Sequence, residues 1–530
     1  MHQLQVTNYQ LPIYQLQKIM QLEIMDTTLR DGEQTTGVSF NPHEKLSIAK
    51  ILLKDVKVDR IEVASARVSK GEFAAVQKIT KWAKENNCLH KIEVLGFIDG
   101  KHSIDWIKES GAKVINLLCK GSLKHAKEQL KKTPEEHVAD IKKSITYAKK
   151  SGFNINIYLE DWSNGMINSR EYVFYLLDAL KELPIERFMI PDTLGILNHE
   201  QTFDFCSIIR KKYPKLHFDF HAHNDYDLAT ANAFSAIKAG INGIHTTING
   251  LGERAGNVAL SSVIGIVNDH LDVETRLVES KLSKISQIVE SYSGIRVPEN
   301  KPLIGENVFT QTCGVHADGD SKNSLYFNNL MPERFGRVRK YALGKTSGKA
   351  NIKKNLEELG LVLDAKALQK LTARIIELGD KKENVTTEDL PYIIADVFDN
   401  GQIEKSIRFN HYLLSLANGL KPVASVNVEI NGKSYERSSV GDGQYDAFMK
   451  ALWKIYDELG KPHPILEDYA VTIPPGGKTD ALVETVITWK FNDKSIKTRG
   501  LHPDQTEAAI KATEKMLNII EHQKTVRSIQ

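Results

Sequence analysis

The chain has 530 residues, 41% hydrophobic and 26% charged, enough hydrocarbon for more than one core and too much for a disordered or fibrous protein. A formal net charge of +3, with Lys and Glu interleaved along helical stretches, offers no basic face to nucleic acid. Cys88, Cys119, Cys206 and Cys313 form no CxxC pair and no run approaches the ~18 apolar residues of a membrane span, so a cytoplasmic protein without a thiolate zinc site or a membrane partner is expected.

Residues 1–19 are polar and aperiodic and read as an N-terminal extension without an assigned role. From Met20 onward β-rich runs alternate with amphipathic helical stretches. The runs are Leu22–Met25, Arg60–Ala64, Ile92–Gly96, Val114–Leu118, Ile155–Glu160, Phe188–Asp192, His217–His221 and Gly243–Ile248. Helices are predicted over Pro42–Leu53, Glu72–Glu85, Pro134–Lys150 and Leu228–Ala239. Eight such units specify an α/β fold, a closed (β/α)8 TIM barrel in preference to an open doubly wound sheet.

After about residue 275 the strand signal stops, and helical or irregular sequence is expected to about residue 418. From Val423 the pattern turns antiparallel: Ala424–Ile430, an Asn431-Gly432 turn, then Ser434–Ser438. A degenerate repeat closes the chain. Strands lead into Gly441-Asp442-Gly443-Gln444-Tyr445-Asp446 and a helix over Ala447–Leu459; Val483–Trp489 and Ser495–Thr498 then lead into Gly500-Leu501-His502-Pro503-Asp504 and a helix over Gln505–Ile520. Two βββα halves result, with no obvious acid, base or nucleophile cluster, so binding is the expected role and dimerisation its alternative.

Three polar clusters sit at expected strand ends, where a barrel gathers its loops at one mouth. Asp26 to Gln34 follows the first strand, and its Arg30-Asp31 pair can supply a fixed cation and a metal-ligating carboxylate. His221-Ala222-His223-Asn224-Asp225 ends the seventh. Residues two apart in extended chain point the same way, so both imidazoles can face one divalent ion, although a lone H-x-H is as often structural. Asn249 to Asn257 follows the eighth strand; its glycine spacing and late position argue against a Rossmann loop. There Asn257 offers an amide oxygen, while Glu253 and Arg254 can brace the loop. One carboxylate, two imidazoles and an amide leave zinc, manganese and magnesium open.

Together these three clusters resemble the signatures of the isopropylmalate, homocitrate and citramalate synthases, metal-dependent TIM-barrel enzymes. Glu306 to Asp320 and the closing domain, with Pro474-Pro475-Gly476-Gly477, resemble that family's linker and allosteric domain, so the likeness covers nearly the whole chain after Met20. It implies an acyltransferase that joins acetyl-CoA to a short 2-oxo acid. It also implies a homodimer whose chain divides into a catalytic barrel (20–290), linker subdomains that complete the active site (291–420) and an allosteric α+β domain (421–525).

The surroundings of Glu93-Val94-Leu95-Gly96, Leu117-Leu118 and Tyr158-Leu159-Glu160-Asp161-Trp162 are most similar to the branch that uses pyruvate. A pocket of Leu95, Leu118 and Tyr158 is apolar and tight enough for a methyl group. A second carboxylate would call for a cationic or polar partner, and an isopropyl group for more room.

By the same resemblance Asp31, His221 and His223 hold the metal, with Asn257 as a fourth ligand or as support for one. Arg30 polarises the ketone and Thr193 takes the substrate carboxylate. Glu160 with His316 moves the protons and Tyr326 orients them, His316 and Tyr326 being supplied by the partner subunit. An aromatic anchor is the plainer alternative for Tyr326. The terminal domain is expected to bind an end-product amino acid, isoleucine by the resemblance, at Asp442, Tyr445 and Asp446 and at Pro474–Asp480.

Three rivals remain. A 2-isopropylmalate synthase shares the metal residues, and hydroxymethylglutaryl-CoA lyases run a retro-aldol cleavage on barrels without this terminal domain. A non-catalytic amino-acid-binding regulator is opposed by intact Arg30, Asp31, His221 and His223.

Overall fold

In the computed structural model, eight parallel strands follow one another round an axis: β1 (Glu23–Asp26), β2 (Arg60–Ser65), β3 (Ile92–Phe97), β4 (Val114–Lys120), β5 (Asn154–Glu160), β6 (Arg187–Asp192), β7 (Phe218–Ala222) and β8 (Gly243–Thr246). They close because β8 pairs with β1, from Glu23 opposite Gly243 to Asp26 opposite Thr246. The structure describes residues 20–271, 273–358, 361–380, 406–472, 483–492 and 494–527, with 385, 387, 390, 393–394 and 397. The extension at 1–19 and the loop expected at Pro474–Asp480 lie outside the described residues.

Helices start where the sequence supplies caps. Asn41, Thr133 and Asn198 each close a capping box at the head of α1 (Pro42–Lys50), α3 (Pro134–Lys150) and α4 (His199–Lys212), while Ser69 caps α2 (Lys70–Glu85). The helix expected over Pro42–Leu53 continues beyond α1 in wider π-type turns, Ile51–Val56, and stops at Lys57 in the left-handed region, φ 64°.

Outward-facing residues such as Ile24, Val63, Val94, Ile157, Ile190 and Phe220 are fully buried against the helices and form the main core. The inward faces carry charge instead. Arg60 spans the barrel to Glu23 (3.1 Å), Glu93 (2.8 Å) and Asp219 (2.6 Å). Gly243 is required at this level, since a Cβ there would lie 2.1 Å from Asp219 Oδ1.

The chain divides into two compact units; one ends at Gln311 and takes in Gly319–Lys340, and the other takes Thr312–Asp318 and resumes at Tyr341. In the second unit, helices Lys349–Glu358 and Ala365–Asp380 bury Ile352, Leu356, Leu371 and Ile375 together.

Beyond them come two three-stranded antiparallel sheets, β9-β10-β11 (Ile407–Ser415, Val423–Ile430, Lys433–Val440) and β12-β13-β14 (Ile465–Thr472, Val483–Phe491, Lys494–His502). Each sheet is followed by a helix, α5 (Gln444–Glu458) and α6 (Gln505–Arg527). The two βββα halves are therefore real, and the expectation of helical or irregular chain to about residue 418 is corrected by β9. A glycine marks the same corner in both halves: a Cβ on Gly441 would lie 2.2 Å from Ala447 N, and one on Gly500 1.8 Å from Ala508 O.

The halves share one core, with Phe448, Ile487, Trp489 and Leu517 all within it. They also interlock, Asn518 of α6 receiving the Ile407 amide (3.0 Å) and donating to its carbonyl (2.8 Å). Among the described residues no helix is long and apolar enough to cross a membrane.

Candidate active site

The loop after β1 places Arg30 and Asp31 at the barrel mouth. Arg30 Nε donates to Glu62 Oε2 (2.7 Å), its NH1 lies 3.1 Å from Asp31 Oδ1 and its NH2 lies 3.4 Å from the Tyr158 hydroxyl. Against the pull of burial, the carboxylates of Asp31 and Glu62 keep the guanidinium firmly charged.

Glu62 is fully buried and also accepts from Thr27 Oγ1 (2.9 Å) and Asn116 Nδ2 (2.8 Å). Beneath the loop, the buried Lys45 ammonium donates to the Leu29 carbonyl (2.9 Å) and pairs with Glu33 and Glu72, each at 2.6 Å.

Asp31, His221 and His223 converge. His221 Nε2 lies 3.0 Å from Asp31 Oδ2 and 3.3 Å from His223 Nε2, and His223 Nε2 lies 3.8 Å from Asp31 Oδ2. Ligands at about 2.0–2.1 Å from a shared ion stand about 3.0–3.4 Å from each other, so this trio fits a divalent metal with little adjustment. Burial, then the neighbouring His221, pushes His223 down to about 3, into the neutral form a ligand needs. Burial opposes ionisation of Asp31, yet Arg30 and the His221 hydrogen bond hold its carboxyl well below the usual range.

Asn257 joins this group from the far end of the barrel sequence. Its Nδ2 donates to Asp31 Oδ2 (2.9 Å) and the Leu251 carbonyl (3.2 Å), so the amide nitrogen faces the carboxylate. Among the described residues, Asn257 Oδ1, His221 Nδ1 and His223 Nδ1 are buried without a hydrogen-bond partner. The nearby glycines serve packing. Gly252, at φ 157°, would place a Cβ 2.4 Å from Asn257 Nδ2. Arg254 braces the loop through Asp225 (2.7 Å) and Glu253 (3.1 Å).

Leu95 and Tyr158 pack with Met25, Met189 and the partly buried Leu118 in an apolar cluster inside the barrel, separate from the main core. One layer nearer the mouth, Lys120 and Glu160 stand opposite each other on β4 and β5 and form an ion pair. Lys120 was not singled out in the sequence, and Glu160 engages its charge. Thr193 Oγ1 accepts the Asp161 amide (2.9 Å), so one of its lone pairs serves the fold.

Tyr326 is 42% exposed with its ring against Gly319, and His316 lies on the helix Gly314–Ser321, in the part assigned to the second unit. In the second unit Tyr445 donates to or accepts from Thr513 Oγ1 (2.6 Å) at the junction of the halves. Asp446 accepts the Asp442 amide (2.8 Å) at the head of α5, and Asp442 pairs with Lys421 (2.9 Å).

The geometry missed in the sequence is that of Glu62, Lys120, Lys45 and His245. Arg60 with Glu62, and Leu118 with Lys120, are each two apart on a strand and face inward together; that spacing was the available signal.

Residues 21–289 match the HMGL-like family, 303–383 the homocitrate synthase post-HMGL domain-like family and 384–521 the LeuA allosteric (dimerisation) domain. An (R)-citramalate synthase of Methanocaldococcus jannaschii is 31% identical over 94% of this chain and 100% of its own length. The chain belongs to the citramalate and 2-isopropylmalate synthase family. A 2-isopropylmalate synthase of the same organism is 34% identical over 92% of both chains, too close to the first value to choose between the two activities. The HMG-CoA lyase structure from Bacillus subtilis is similar at 20% identity and a TM-score of 0.45, covering 53% of this chain and 96% of that one. As a member of this family the protein is an acetyl-CoA-dependent condensing synthase, an acyltransferase, and the family's dependence on a metal suits the Asp31, His221 and His223 group.

Proposed function

We propose that this synthase is an (R)-citramalate synthase, which joins acetyl-CoA and pyruvate with water to give citramalate and CoA. The observation that carries the reading is the buried cluster of Met25, Leu95, Tyr158 and Met189, with Leu118 packed against it, an apolar surface next to Arg30 of the kind a substrate methyl group calls for. Asp31, His221 and His223 would hold a divalent metal, zinc, manganese or magnesium, with Asn257 steadying Asp31. When bound, that ion supplies Lewis-acid polarisation of the substrate ketone.

In this reading the fixed guanidinium of Arg30 stabilises the negative charge that grows on the ketone oxygen as the new carbon–carbon bond forms. Glu160 and His316 move protons to and from the acetyl methyl and the product oxygen. Tyr326 orients them, and Thr193 donates its hydroxyl hydrogen to the substrate carboxylate. His316 and Tyr326 are assigned to a second copy of the chain, as a homodimer. Isoleucine is assigned as the feedback inhibitor, at the Asp442, Tyr445 and Asp446 corner of the terminal domain.

The test is release of CoA thiol from acetyl-CoA with pyruvate, 2-oxoisovalerate or 2-oxoglutarate, with divalent metal and then with chelator. Strong release with pyruvate alone, abolished by chelator, is expected. Preference for 2-oxoisovalerate would replace this reading by 2-isopropylmalate synthase.

A further inference from the structure

Below the metal group, a chain of hydrogen bonds runs inward from Tyr158, and nothing in the proposed chemistry uses it. The Tyr158 hydroxyl lies 3.0 Å from His245 Nδ1, and His245 Nε2 lies 3.2 Å from Asp219 Oδ2. Asp219 is in turn held by Arg60 (2.6 Å) and by His217 (2.8 Å). Asp219 is fully buried, His245 is 1% exposed and Tyr158 is 3% exposed, so no solvent competes for these bonds.

A carboxylate only accepts, so the imidazole hydrogen facing Asp219 sits on Nε2, and in the neutral ring Nδ1 is left to accept the phenol hydrogen. The phenol's one hydrogen then has two acceptors in reach, His245 Nδ1 at 3.0 Å and Glu62 Oε2 at 3.4 Å, of which the imidazole is the nearer. The phenol oxygen then keeps its lone pairs toward Arg30 NH2, at 3.4 Å.

Two consequences follow for the pocket. Pinned from below at its hydroxyl, the Tyr158 ring cannot tilt, so the wall it presents beside Leu95 and Leu118 has a set position. The polar atom of the one tyrosine in that wall is also engaged by His245, Glu62 and Arg30.

We infer that His245 is a positioning residue which, from beneath the site, fixes the Tyr158 ring and thereby sets how large a 2-oxo acid side chain the pocket admits. This rests on the reading of Leu95, Leu118 and Tyr158 as the 2-oxo acid pocket. His245 itself touches no reacting atom in that arrangement. Its removal alters recognition of the oxo acid and leaves acetyl-CoA alone.

The experiment is a double-mutant cycle in the full-length, metal-loaded enzyme, with KM and kcat for pyruvate, 2-oxobutanoate and acetyl-CoA measured for Tyr158→Phe, His245→Leu and the double variant. Each single change is expected to raise the pyruvate KM about tenfold and to narrow the preference for pyruvate over 2-oxobutanoate, with the acetyl-CoA KM unchanged. The double variant is expected to be no worse than either single one, and His245→Gln, whose amide oxygen can still accept the phenol hydrogen, to recover most of the loss.

Additive effects, or equal changes in both KM values, overturn the inference. If Tyr158→Phe itself leaves oxo acid preference untouched, the pocket reading fails instead. Should His245→Leu not fold, the cycle with His245→Asn, too short to reach Tyr158, against His245→Gln decides the same question.

Discussion

Inside the barrel Arg60, Glu62, Glu93 and Asp219 are at most 4% exposed and all are paired, whereas the core shared by the C-terminal sheets is built of Phe448, Trp489, Ile487, Leu517 and similar hydrocarbon. Both cores are closed to water, but they are specified by different forces. Hydrocarbon packing tolerates shifts of a few tenths of an ångström, because dispersion is shallow and non-directional. Paired charges in a low dielectric hold their partners to one geometry and gain little net stability from it. The barrel accepts that cost where Arg30 and Asp31 must be held still, and the sheets, which carry no such group, do not.

The largest expected effect is on chemistry. His221→Ala or Asp31→Ala should lower CoA release by at least about a hundredfold, while Phe448→Ala should leave the catalytic rate of the folded enzyme intact. Equal loss of activity in both would erase the contrast between the regions.

Next in size is stability. Arg60→Lys cannot span Glu23, Glu93 and Asp219 and should cost about 3 kcal/mol in denaturant unfolding, because Glu93 and Asp219, both fully buried, cannot both keep a charged donor from one ammonium. Phe448→Leu, a conservative change in a hydrocarbon core, should cost only about 1 kcal/mol.

A pH series sharpens the same point. Burial pushes Asp26 up to about 7, against hydrogen bonds from Thr28, while the unfolded chain titrates near 3.8. The folded state therefore holds a proton that the unfolded state has lost, and this contribution to stability disappears as pH rises from about 4 to 7. Asp26→Asn removes the loss, so its stability relative to the parent should climb over that window, by on the order of a few kcal/mol, and stay flat above it.

Smallest of all, Asp442→Asn breaks only an exposed pair with Lys421 and should leave the unfolding midpoint where it is, because solvent and salt screen such a pair. A clear shift would mean that the terminal unit also relies on ion pairs.

The barrel and the convergence of His221 and His223 were legible because each rests on a simple period: βα alternation for the strands, and residues two apart at a strand end for the two imidazoles. Glu62, Lys120 and His245 were not, since one charge in an apolar strand gains meaning only when closure turns that face inward. Strand β9 was hidden for another reason. A bulge between Phe409 and His411 shifts its phase, so that Ile407 and Phe409, then Tyr412 and Leu414, face the core and no single alternation covers all four. The repeat was readable from its corners, where Gly441 and Gly500 are compelled by the helix that follows.

The seam where β8 meets β1 is tied above the sheet by side chains. Asn257 reaches Asp31 at 2.9 Å across 226 residues, and Thr28 Oγ1 accepts the Ile248 amide at 2.8 Å across 220. During synthesis the N-terminal loop must therefore wait for most of the first half of the chain to leave the ribosome before its carboxylate is aligned. A stalled or truncated product that ends before Asn257 carries Arg30 and Asp31 but lacks the amide that holds the Asp31 carboxylate. The alignment of the Asp31 carboxylate is thereby tied to completion of the barrel.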